Sequence, residues 1–483
     1  MLRQRAPRRL IARRPSMRWL GALVLVLAGC SPAPLSQPIV TGPVTAFVGV
    51  NVLTPGLAAL LEDQTVLVQG DGIIAIGPTA RIDVRRSTER IDGSGKVLMP
   101  GLVDAHVHLE YFDDPAVLGL FLANGVTSVR NMDGRPHLLA WRDSVARGAW
   151  LGPTIYTAGP ILDGDPPLRD DNLAIADAVA ARAAVAEQHA AGYDFIKLYV
   201  NLDADAYRAA IAEATARGLP AVGHVARTLA VADAIAAGQH AIEHLDAIGE
   251  AVEAEDSPFR EGWHWSKLYV AMPLDTMRAA ALATRLRDAG IYVVPTAVQA
   301  DRVVLLDSIR VLLAAAELQY VPASLRQRWD PAGYEPERRA ALEEAGAEER
   351  ELLLRGRENR LALIRILHRG GVRLAAGSDT PNDLVIPGFS LHDELANFVA
   401  AGLEPQDALA AATRDAAALL RQEHEFGTIE VGQRADLLLL EGDPRESLAV
   451  LRRPAGVMVR GRWLPAARLQ ALLEQASRSA ATH

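Results

Sequence analysis

Two histidines separated by one residue are the first feature of this sequence that points to chemistry. His106 and His108 stand in the stretch GLVDAHVH, at the end of an apolar run. If that run is a β-strand, side chains two positions apart point to the same face, so both imidazoles can reach one metal ion. Paired histidines on a half-exposed strand are also common without a metal, so the rest of the chain must decide between the two interpretations.

Four further side chains of metal-ligand chemistry stand at or near the ends of short apolar segments. They are Lys197 in FIKLYV, His224 in VGHVA, His244 in AIEHLD and Asp379 in GSDTPND. Imidazole and carboxylate groups are common ligands of divalent metals. Each has a structural alternative, because a lone buried histidine is usually a core residue and an aspartate before Pro381 can cap a helix.

Lys197 has apolar neighbours on both sides, from Phe195 to Tyr199. These leave little polar surface around the ammonium group, and burial favours the neutral amine. A neutral amine can react with carbon dioxide. The alternative interpretations are a surface lysine on an edge strand and a structural buried lysine.

The elements that would position these groups alternate along residues 99–427. Short apolar segments, separated by long alanine-rich helical segments, lie at residues 97–109, 126–130, 154–159, 195–200, 220–224, 241–244, 291–296 and 373–379. Eight βα units of this length predict an α/β fold, a (β/α)8 TIM-like barrel, with a doubly wound sheet as the alternative. In such a barrel chemistry occurs at the carboxyl ends of the strands, where all six candidate groups stand.

The remaining segments flank or interrupt this barrel. Residues 39–98 and 428–466 alternate as short strands, too few at either end to bury a face alone, so we expect them to pair in one small β-sandwich built from both termini. Residues 467–483 are expected to form a C-terminal tail. A charged helical insertion at about residues 301–369 is either a solvated face or a substrate lid.

Taken together, these motifs resemble the amidohydrolase superfamily, in its imidazolonepropionase-like and Xaa-Pro dipeptidase-like branch. The resemblance covers about residues 45–465 and rests on PGLVDAHVHLE, FIKLYV, VGHVA, AIEHLD, GSDTP and GTIEVGQRADLLLLEGDP. It implies a (β/α)8 barrel with a flanking β-sandwich from both termini. It also implies metal-dependent hydrolysis of a C–N bond outside long peptides.

The resemblance implies a site with two divalent ions, and the histidine-rich donor set without thiolates favours zinc. One ion is implied at His106, His108 and Asp379 and the other at His224 and His244, with N-carboxylated Lys197 as the bridging ligand. Water held there would have its pKa lowered from about 15.7 toward about 7. Asp379 is predicted to act first as general base and then as general acid toward the leaving nitrogen.

Three residues are predicted to contact the substrate, a small-molecule amide such as a dipeptide or an N-acyl amino acid. Tyr199 could donate a hydrogen bond to a tetrahedral oxyanion, with a core aromatic as the alternative. Arg130 and His137 could bind a substrate carboxylate, with a surface loop as the alternative. A cyclic amidase or lactonase on the same site stays open, as does a lipoprotein that binds a solute or metal without turnover.

The N-terminus has the composition of an export signal. Residues 1–18 contain seven arginines and no acid, and the apolar segment after them is too short to span a bilayer. It ends in LAGCS, which resembles the lipobox of bacterial lipoproteins, and Cys30 is the only cysteine. We therefore expect a signal peptide at residues 1–29, a tether at residues 30–38 and lipidation of Cys30, with Met1 or Met17 as the start. This predicts a lipid anchor in the cell envelope, at the periplasmic face of the outer membrane.

The charge balance argues against nucleic acid as a partner. The chain carries 59 acidic and 50 basic side chains, a formal net charge of −9. A polyanion is attracted by basic rather than acidic proteins. Assembly into a homo-oligomer is left open by the sequence.

Overall fold

The computed structural model describes residues 43–54, 56–84, 89–261, 267, 270–304, 315–329, 347–382 and 384–481. Residues 42–483 form one compact unit, which contains both the predicted barrel and the predicted β-sandwich strands. The predicted signal peptide, the tether and Cys30 lie outside the described residues. Within them, none of the helices is both long and apolar enough to span a bilayer.

The described strands and helices alternate through most of the chain. Strands β1 to β18 are, in order, Val44–Leu53, Leu60–Gln69, Gly72–Pro78, Glu89–Asp92, Val97–Pro100, Leu102–Val107, Val126–Asn131, Thr154–Thr157, Leu162–Asp163, Leu173–Ala174, Ile196–Leu198, Ala221–Gly223, Ala241–Glu243, Tyr292–Val294, Arg373–Leu374, Leu437–Leu440, Gly456–Val459 and Arg462–Pro465. Helices α1 to α14 are, in order, Leu118–Ala123, Pro136–Ala146, Ala178–Ala191, Ala204–Ala216, Val231–Ala237, Asp246–Ala251, Thr276–Asp288, Ala297–Val304, Ala323–Trp329, Ala347–Arg369, Phe389–Ala400, Pro405–Ala411, Arg414–Leu419 and Ala466–Ala480.

The predicted (β/α)8 barrel is confirmed. Its eight strands are β6, β7, β8 and β11 to β15, and all pairs among them are parallel. Together with the short strands β9 and β10, they form two hydrogen-bonded groups, β6-β7-β8 and β10-β9-β11-β12-β13-β14-β15. Parallel bridges from Val107 to Thr380 and from Ala158 to Phe195 connect the groups at both edges, which closes the barrel. The two-residue strands β9 and β10 are additions that the sequence pattern did not predict.

Three of the helices between these strands, α3, α4 and α7, begin at capping aspartates. The Asp177 carboxylate accepts hydrogen bonds from the N–H groups of Val179 and Ala180 at the start of α3, and Asp203 caps α4 in the same way. Such a side chain satisfies N–H groups that have no partner inside the helix. These helices therefore begin at defined residues, which fixes where the loops before them end.

Strands from both ends of the chain pair in one eight-stranded sheet, which confirms the predicted pairing of the two termini. Its order is β18-β17-β16-β5-β1-β2-β3, with β4 also paired to β1. The chain ends meet where β5 pairs antiparallel with β16. Phe47 and Val66 from the N-terminal strands pack in one buried cluster with Leu437 and Met458 from the C-terminal strands. Neither set of strands encloses this core without the other.

Three predicted boundaries differ from the structure. Residues 97–109 are two strands, β5 in the terminal sheet and β6 in the barrel. The predicted insertion at residues 301–369 includes α10, whose Leu363, Ile364 and Leu367 are buried against the barrel; residues 305–314 and 330–346 lie outside the described residues. The predicted tail is mostly the helix α14, whose Leu469 and Leu472 are buried. This helix packs on α1, where Leu472 lies against Gly119.

Candidate active site

A cavity of about 230 Å³ opens where the barrel strands end. All six side chains predicted as metal ligands line this cavity, as does Tyr199. Four of the six ligand candidates lie beyond the carboxyl ends of their strands, and His106 and Lys197 are the penultimate residues of β6 and β11. Since the carboxyl ends of parallel barrel strands meet at one mouth, groups separated by up to 273 residues converge there.

His106 and His108 converge on one carboxylate oxygen. The Nε2 atoms of both imidazoles lie 3.3 Å from Oδ1 of Asp379. The Asp379 backbone N–H donates to the carbonyl oxygen of His106 at 2.8 Å, which fixes the loop after β15 against the end of β6. Among the described residues, Oδ1 of Asp379 is buried without a hydrogen-bond partner. This oxygen is therefore aimed at both imidazoles and lacks a donor.

His224 and His244 form the adjacent wall. Their ring centroids are 4.7 Å apart, and the His244 ring is also 5.0 Å from the His106 ring. Nδ1 of His244 lies 2.6 Å from Oγ1 of Thr296 and 4.0 Å from Oδ2 of Asp379. Donor atoms of His106, His244 and Asp379 all lie within 4.8 Å of one another, a spacing that suits a shared metal ion.

Two of these groups stand on left-handed backbone. The φ angles of His244 and Asp379 are 65° and 63°, a conformation that non-glycine residues adopt uncommonly. Such a backbone costs about 1–3 kcal/mol and persists only where surrounding contacts hold it. His244 directly follows β13, and Asp379 lies in the loop after β15. At each residue the backbone turn directs the side chain back over the mouth of the barrel.

Burial keeps three of the imidazoles in the site neutral. Burial lowers the pKa values of His106, His224 and His244, the last to about 4. Neutral imidazole is the form that binds metal. Burial also opposes ionisation of Asp379, but the histidines around it outweigh burial and its pKa is lowered. The site thus presents neutral nitrogens beside an ionised carboxylate.

His108 differs from the other imidazoles because its acidic neighbours outweigh burial. His106 also lies between two carboxylates, those of Glu243 and Asp379, but burial and the nearby Lys197 and Arg130 lower its pKa. Burial alone would lower the pKa of His108, but Glu110 and Asp379 outweigh burial and raise it to about 10. Nδ1 of His108 lies 2.6 Å from Oε1 of Glu110. A position between two carboxylates favours a cation, whether that cation is a proton or a metal ion.

Lys197 is almost completely buried within β11, with 1% of its surface exposed. Burial lowers the pKa of its ammonium group, although Glu243 and Asp379 oppose the shift. The next strand approaches closely at Gly223, whose φ is +124°; a Cβ there would lie 2.3 Å from the carbonyl oxygen of Leu198 and 3.0 Å from Cδ of Lys197. Glycine before His224 therefore leaves space for the lysine side chain.

Arg130, predicted to bind a substrate carboxylate, does not line the cavity. It is 2% exposed, and its Nη2 lies 2.7 Å from Oε1 of Glu243. Oε2 of Glu243 in turn lies 2.8 Å from Nδ1 of His106. Glu243 thus joins Arg130 to the candidate ligand His106, and Arg130 acts as a positioning residue for that imidazole. This corrects the predicted contact of Arg130 with the substrate.

His137 is also away from the cavity. It is exposed near the start of α2, with its ring 5.9 Å from that of Trp141 in an edge contact. Tyr199, by contrast, lines the cavity with its ring 4.7 Å from the His224 ring, and burial raises its pKa to about 12. A phenol with this pKa keeps its proton at neutral pH and can donate a hydrogen bond. Of the three predicted substrate residues, only Tyr199 faces the cavity.

Several residues of the site escaped the sequence analysis. Glu110 and Glu243 contact the histidines from behind, and Thr296 bonds to His244. The sequence did contain two signals for these acids. Glu243 directly precedes His244, and Glu110 lies two positions after His108. Arg169 also lines the cavity, and its loop carries no motif that would have marked it.

The donor set fits a divalent metal. Buried polar atoms almost always have a hydrogen-bond partner, yet Nδ1 of His224 and Oδ1 of Asp379 have none among the described residues. Both belong to residues that line the cavity, where neutral imidazoles and an ionised carboxylate converge. A bound cation would provide the missing partner for both atoms.

Comparisons with known proteins agree with this geometry. The amidohydrolase family matches residues 97–464. The imidazolonepropionase of Methylobacterium nodulans is 26% identical over 427 residues, which are 84% of this chain and 92% of that protein. Among solved structures, a bottromycin amidohydrolase superposes with a TM-score of 0.70 at 24% identity, covering 90% of each chain. A Xaa-Pro dipeptidase with bound methionine superposes with a TM-score of 0.64 at 20% identity, covering 87% of this chain and 100% of the other. At these identities the two solved structures show a common fold.

Proposed function

The chain belongs to the amidohydrolase family, and from this premise we propose that it hydrolyses the amide bond of a dipeptide or an N-acyl amino acid. As a member of this family it is a metal-dependent hydrolase that acts on C–N bonds of small substrates. The observation that carries the proposal is the convergence of six ligand-type side chains on one cavity. At about 230 Å³, that cavity is smaller than the about 300–1,000 Å³ of most ligand pockets, which favours a small substrate.

The proposed cofactor is a pair of zinc ions. His106, His108 and Asp379 would hold one ion, His224 and His244 the other, and Lys197 would bridge them as its carbamate. Burial lowers the pKa of Lys197, which favours the neutral form that carboxylation requires. When bound, such ions polarise a carbonyl group and lower the pKa of water.

Side chains of this protein would then transfer the proton, stabilise the oxyanion and orient the metal ligands. The Asp379 carboxylate would accept the proton of the attacking water and return it to the leaving nitrogen. The Tyr199 hydroxyl would donate a hydrogen bond to the carbonyl oxygen of the substrate as negative charge develops there. Glu243 and Glu110 would hold the His106 and His108 rings through their Nδ1 atoms.

A second candidate reaction is the opening of a cyclic amide. The relative from M. nodulans, which covers most of this chain, bears the name imidazolonepropionase. The same residues could attack a lactone, because an ester carbonyl is polarised in the same way. Binding of a solute or metal without turnover is the weaker alternative, since every predicted ligand position is filled by a competent side chain.

A substrate screen separates these functions. Protein without residues 1–29, loaded with zinc or manganese, would be incubated with dipeptides, N-acyl amino acids, cyclic amides and lactones. We expect hydrolysis of linear amides, and Lys197→Met should lose it. Turnover confined to cyclic amides or lactones would overturn the proposed substrate class, and metal binding without turnover of any compound would favour the binding function.

We also propose that the protein is a lipoprotein anchored in the cell envelope. The sequence LAGCS and the basic and apolar segments before it support this proposal. Full-length protein expressed in a Gram-negative host should incorporate labelled palmitate and fractionate with the outer membrane, and Cys30→Ser should do neither. Equal labelling of parent and variant would contradict the proposed anchor.

A further inference from the structure

The cavity contains arginine side chains that the proposed chemistry does not use. Among the residues that the structure describes, two arginines line it, Arg169 and Arg360. The Arg360 side chain is 3% exposed and lies 2.7 Å from the Asp301 carboxylate, so its charge is balanced within the protein. The Arg169 side chain is 35% exposed. Arg169 is therefore the arginine of this cavity that a substrate can reach from water.

The loop that carries Arg169 is held by a buried carboxylate. Asp163 ends β9 and is completely buried. Its Oδ2 accepts hydrogen bonds from the Leu168 N–H at 2.7 Å and from Nδ2 of Asn172 at 3.0 Å, on either side of Arg169. Four hydrogen bonds to one buried carboxylate, two to each oxygen, order this loop. An ordered loop presents its side chains with little entropic cost on binding.

The same carboxylate also fixes the turn after Tyr199. Oδ1 of Asp163 accepts a hydrogen bond from the Asn201 N–H at 2.8 Å. The two segments touch at Gly164, where a Cβ would lie 1.9 Å from the carbonyl oxygen of Asn201. Arg169 and Tyr199 are thereby placed on one wall of the cavity by a common anchor.

Tyr111 places the guanidinium of Arg169 beside the candidate metal ligands. The guanidinium lies 5.6 Å from the centre of the Tyr111 ring, and Nη2 donates a hydrogen bond to its hydroxyl group. The Tyr111 ring is 6.1 Å from the His108 ring. Nε lies 3.3 Å from Asp171, whose half-exposed carboxylate makes a pair that solvent screens. The guanidinium is thus oriented, yet its charge is only weakly balanced.

We propose that Arg169 is the receptor for a carboxylate on the substrate, with Tyr199 on the same wall. This deepens the proposed function and rests on it: the substrate would be an amide that also carries a free carboxylate, as N-acyl amino acids and dipeptides do. A planar guanidinium binds a carboxylate through two parallel hydrogen bonds. Arg169 is then a specificity-determining residue, whereas Asp163 is a positioning residue.

The test compares an N-acetyl amino acid with its carboxamide twin, which differs only in that charge. A charge-assisted hydrogen bond contributes enough to favour the carboxylate by about 10- to 100-fold in kcat/KM. Arg169→Met should lose this preference, chiefly through KM, and Arg169→Lys should recover part of it. Arg135→Met is the matched control, because Arg135 also lies 3.3 Å from Asp171 but does not line the cavity.

Calorimetric titration of the same two compounds gives a second readout that depends on binding alone when both proteins, the parent and Arg169→Met, also carry Asp379→Asn, which is expected to remove most turnover. The parent should bind the carboxylate more tightly than the carboxamide, and Arg169→Met should not. A carboxylate preference that survives in Arg169→Met, or a parent that binds neither compound or both equally, would overturn the assignment. If neither compound is hydrolysed while the binding preference depends on Arg169, the proposed reaction fails and the carboxylate site stands.

Discussion

At the scale of single residues, the cavity is shaped by what lies behind each imidazole. Nδ1 of His106 contacts Glu243, and Nδ1 of His108 contacts Glu110. A carboxylate on one ring nitrogen holds the proton there and leaves the other nitrogen as the donor for a metal. Both rings therefore present Nε2 to Asp379, and the orientation of these donors is built into the protein.

Asp379→Asn tests the proposed proton transfer. An amide in place of the carboxylate cannot accept the proton, so we expect turnover to fall by about 10²- to 10⁴-fold. The metal content, measured by plasma mass spectrometry, should stay close to that of the parent because the other donors remain. Asp288→Asn, at a surface position that is 64% exposed, is the control. Parent-like turnover in Asp379→Asn would refute the assigned role.

Glu243→Gln tests the buried pair behind His106. The Arg130 and Glu243 side chains are 2% and 0% exposed and 2.7 Å apart, so removing one charge leaves the other buried without compensation. We expect the free energy of unfolding to fall by about 3–5 kcal/mol in urea titrations. Glu213→Gln breaks a pair of equal length, 2.7 Å from Arg217, whose side chains are 23% and 33% exposed. That control should cost at most about 1 kcal/mol, and equal losses in both variants would contradict the argument.

At the scale of elements, the N-terminus of one helix near the cavity is capped by a carboxyl group of another helix. The buried Glu394 of α11 accepts hydrogen bonds from the first N–H groups of α8, those of Ala297 at 3.0 Å and Val298 at 2.7 Å. These residues directly follow Thr296, which bonds to His244. A contact between two helices thus sets the position of a side chain that holds a candidate ligand.

Glu394 also predicts a pH dependence of stability. Burial raises its pKa from 4.5 to about 8, although the Val298 and Ala297 N–H groups oppose the shift. Between these values the folded protein holds a proton that the unfolded chain has lost. The stabilisation is therefore complete below about pH 4.5 and is lost as the pH rises through about 8.

Glu394→Gln should remove this dependence, because an amide does not ionise in this range. Relative to the variant, the parent should lose roughly 1–4 kcal/mol of unfolding free energy between pH 5 and pH 9, as measured by urea titration at each pH. Glu404→Gln, at an exposed position, is the control for the chemical change. A constant difference between parent and Glu394→Gln across this range would show that Glu394 is not the group responsible.

At the scale of the whole molecule, the barrel closes by joining its first and last strands. Val107 at the end of β6 bridges to Thr380 beyond β15. This closure brings His106 and His108 to Asp379, and the remaining ligands come from the strands between. The terminal sheet adds a second long-range contact, the pairing of β5 with β16. The site is therefore a property of the closed fold.

Metal removal tests whether activity and stability depend on ions bound at this site. Prolonged chelation should abolish hydrolysis, and zinc or manganese should restore it. It should also lower the melting temperature, since a ligand at about 100 times its Kd stabilises the folded state by about 2.7 kcal/mol. His137→Ala, which alters an exposed histidine away from the cavity, should respond like the parent. Full activity in protein shown to be free of metal would contradict the proposed mechanism.

Much of the site could be read from the sequence because the rules involved are local. Alternation along a strand places His106 and His108 on one face, and the strand-end rule places His224 and His244 at the barrel mouth. Both follow from the geometry of a few consecutive residues. The pairing of the terminal strands was also predictable, since an incomplete sheet must find partners.

Other features were decided only by the tertiary structure. Arg130 is the last residue of one predicted strand and Arg169 lies in the loop after the next, yet Arg130 is buried against Glu243 and Arg169 faces the cavity. No local pattern separates them, because the partner of Arg130 lies 113 residues away and the loop of Arg169 is held by Asp163. The sequence alone determines which residues can do chemistry. The packing of distant segments decides which of them meet a substrate, because burial and charge pairing depend on neighbours that only the folded chain supplies.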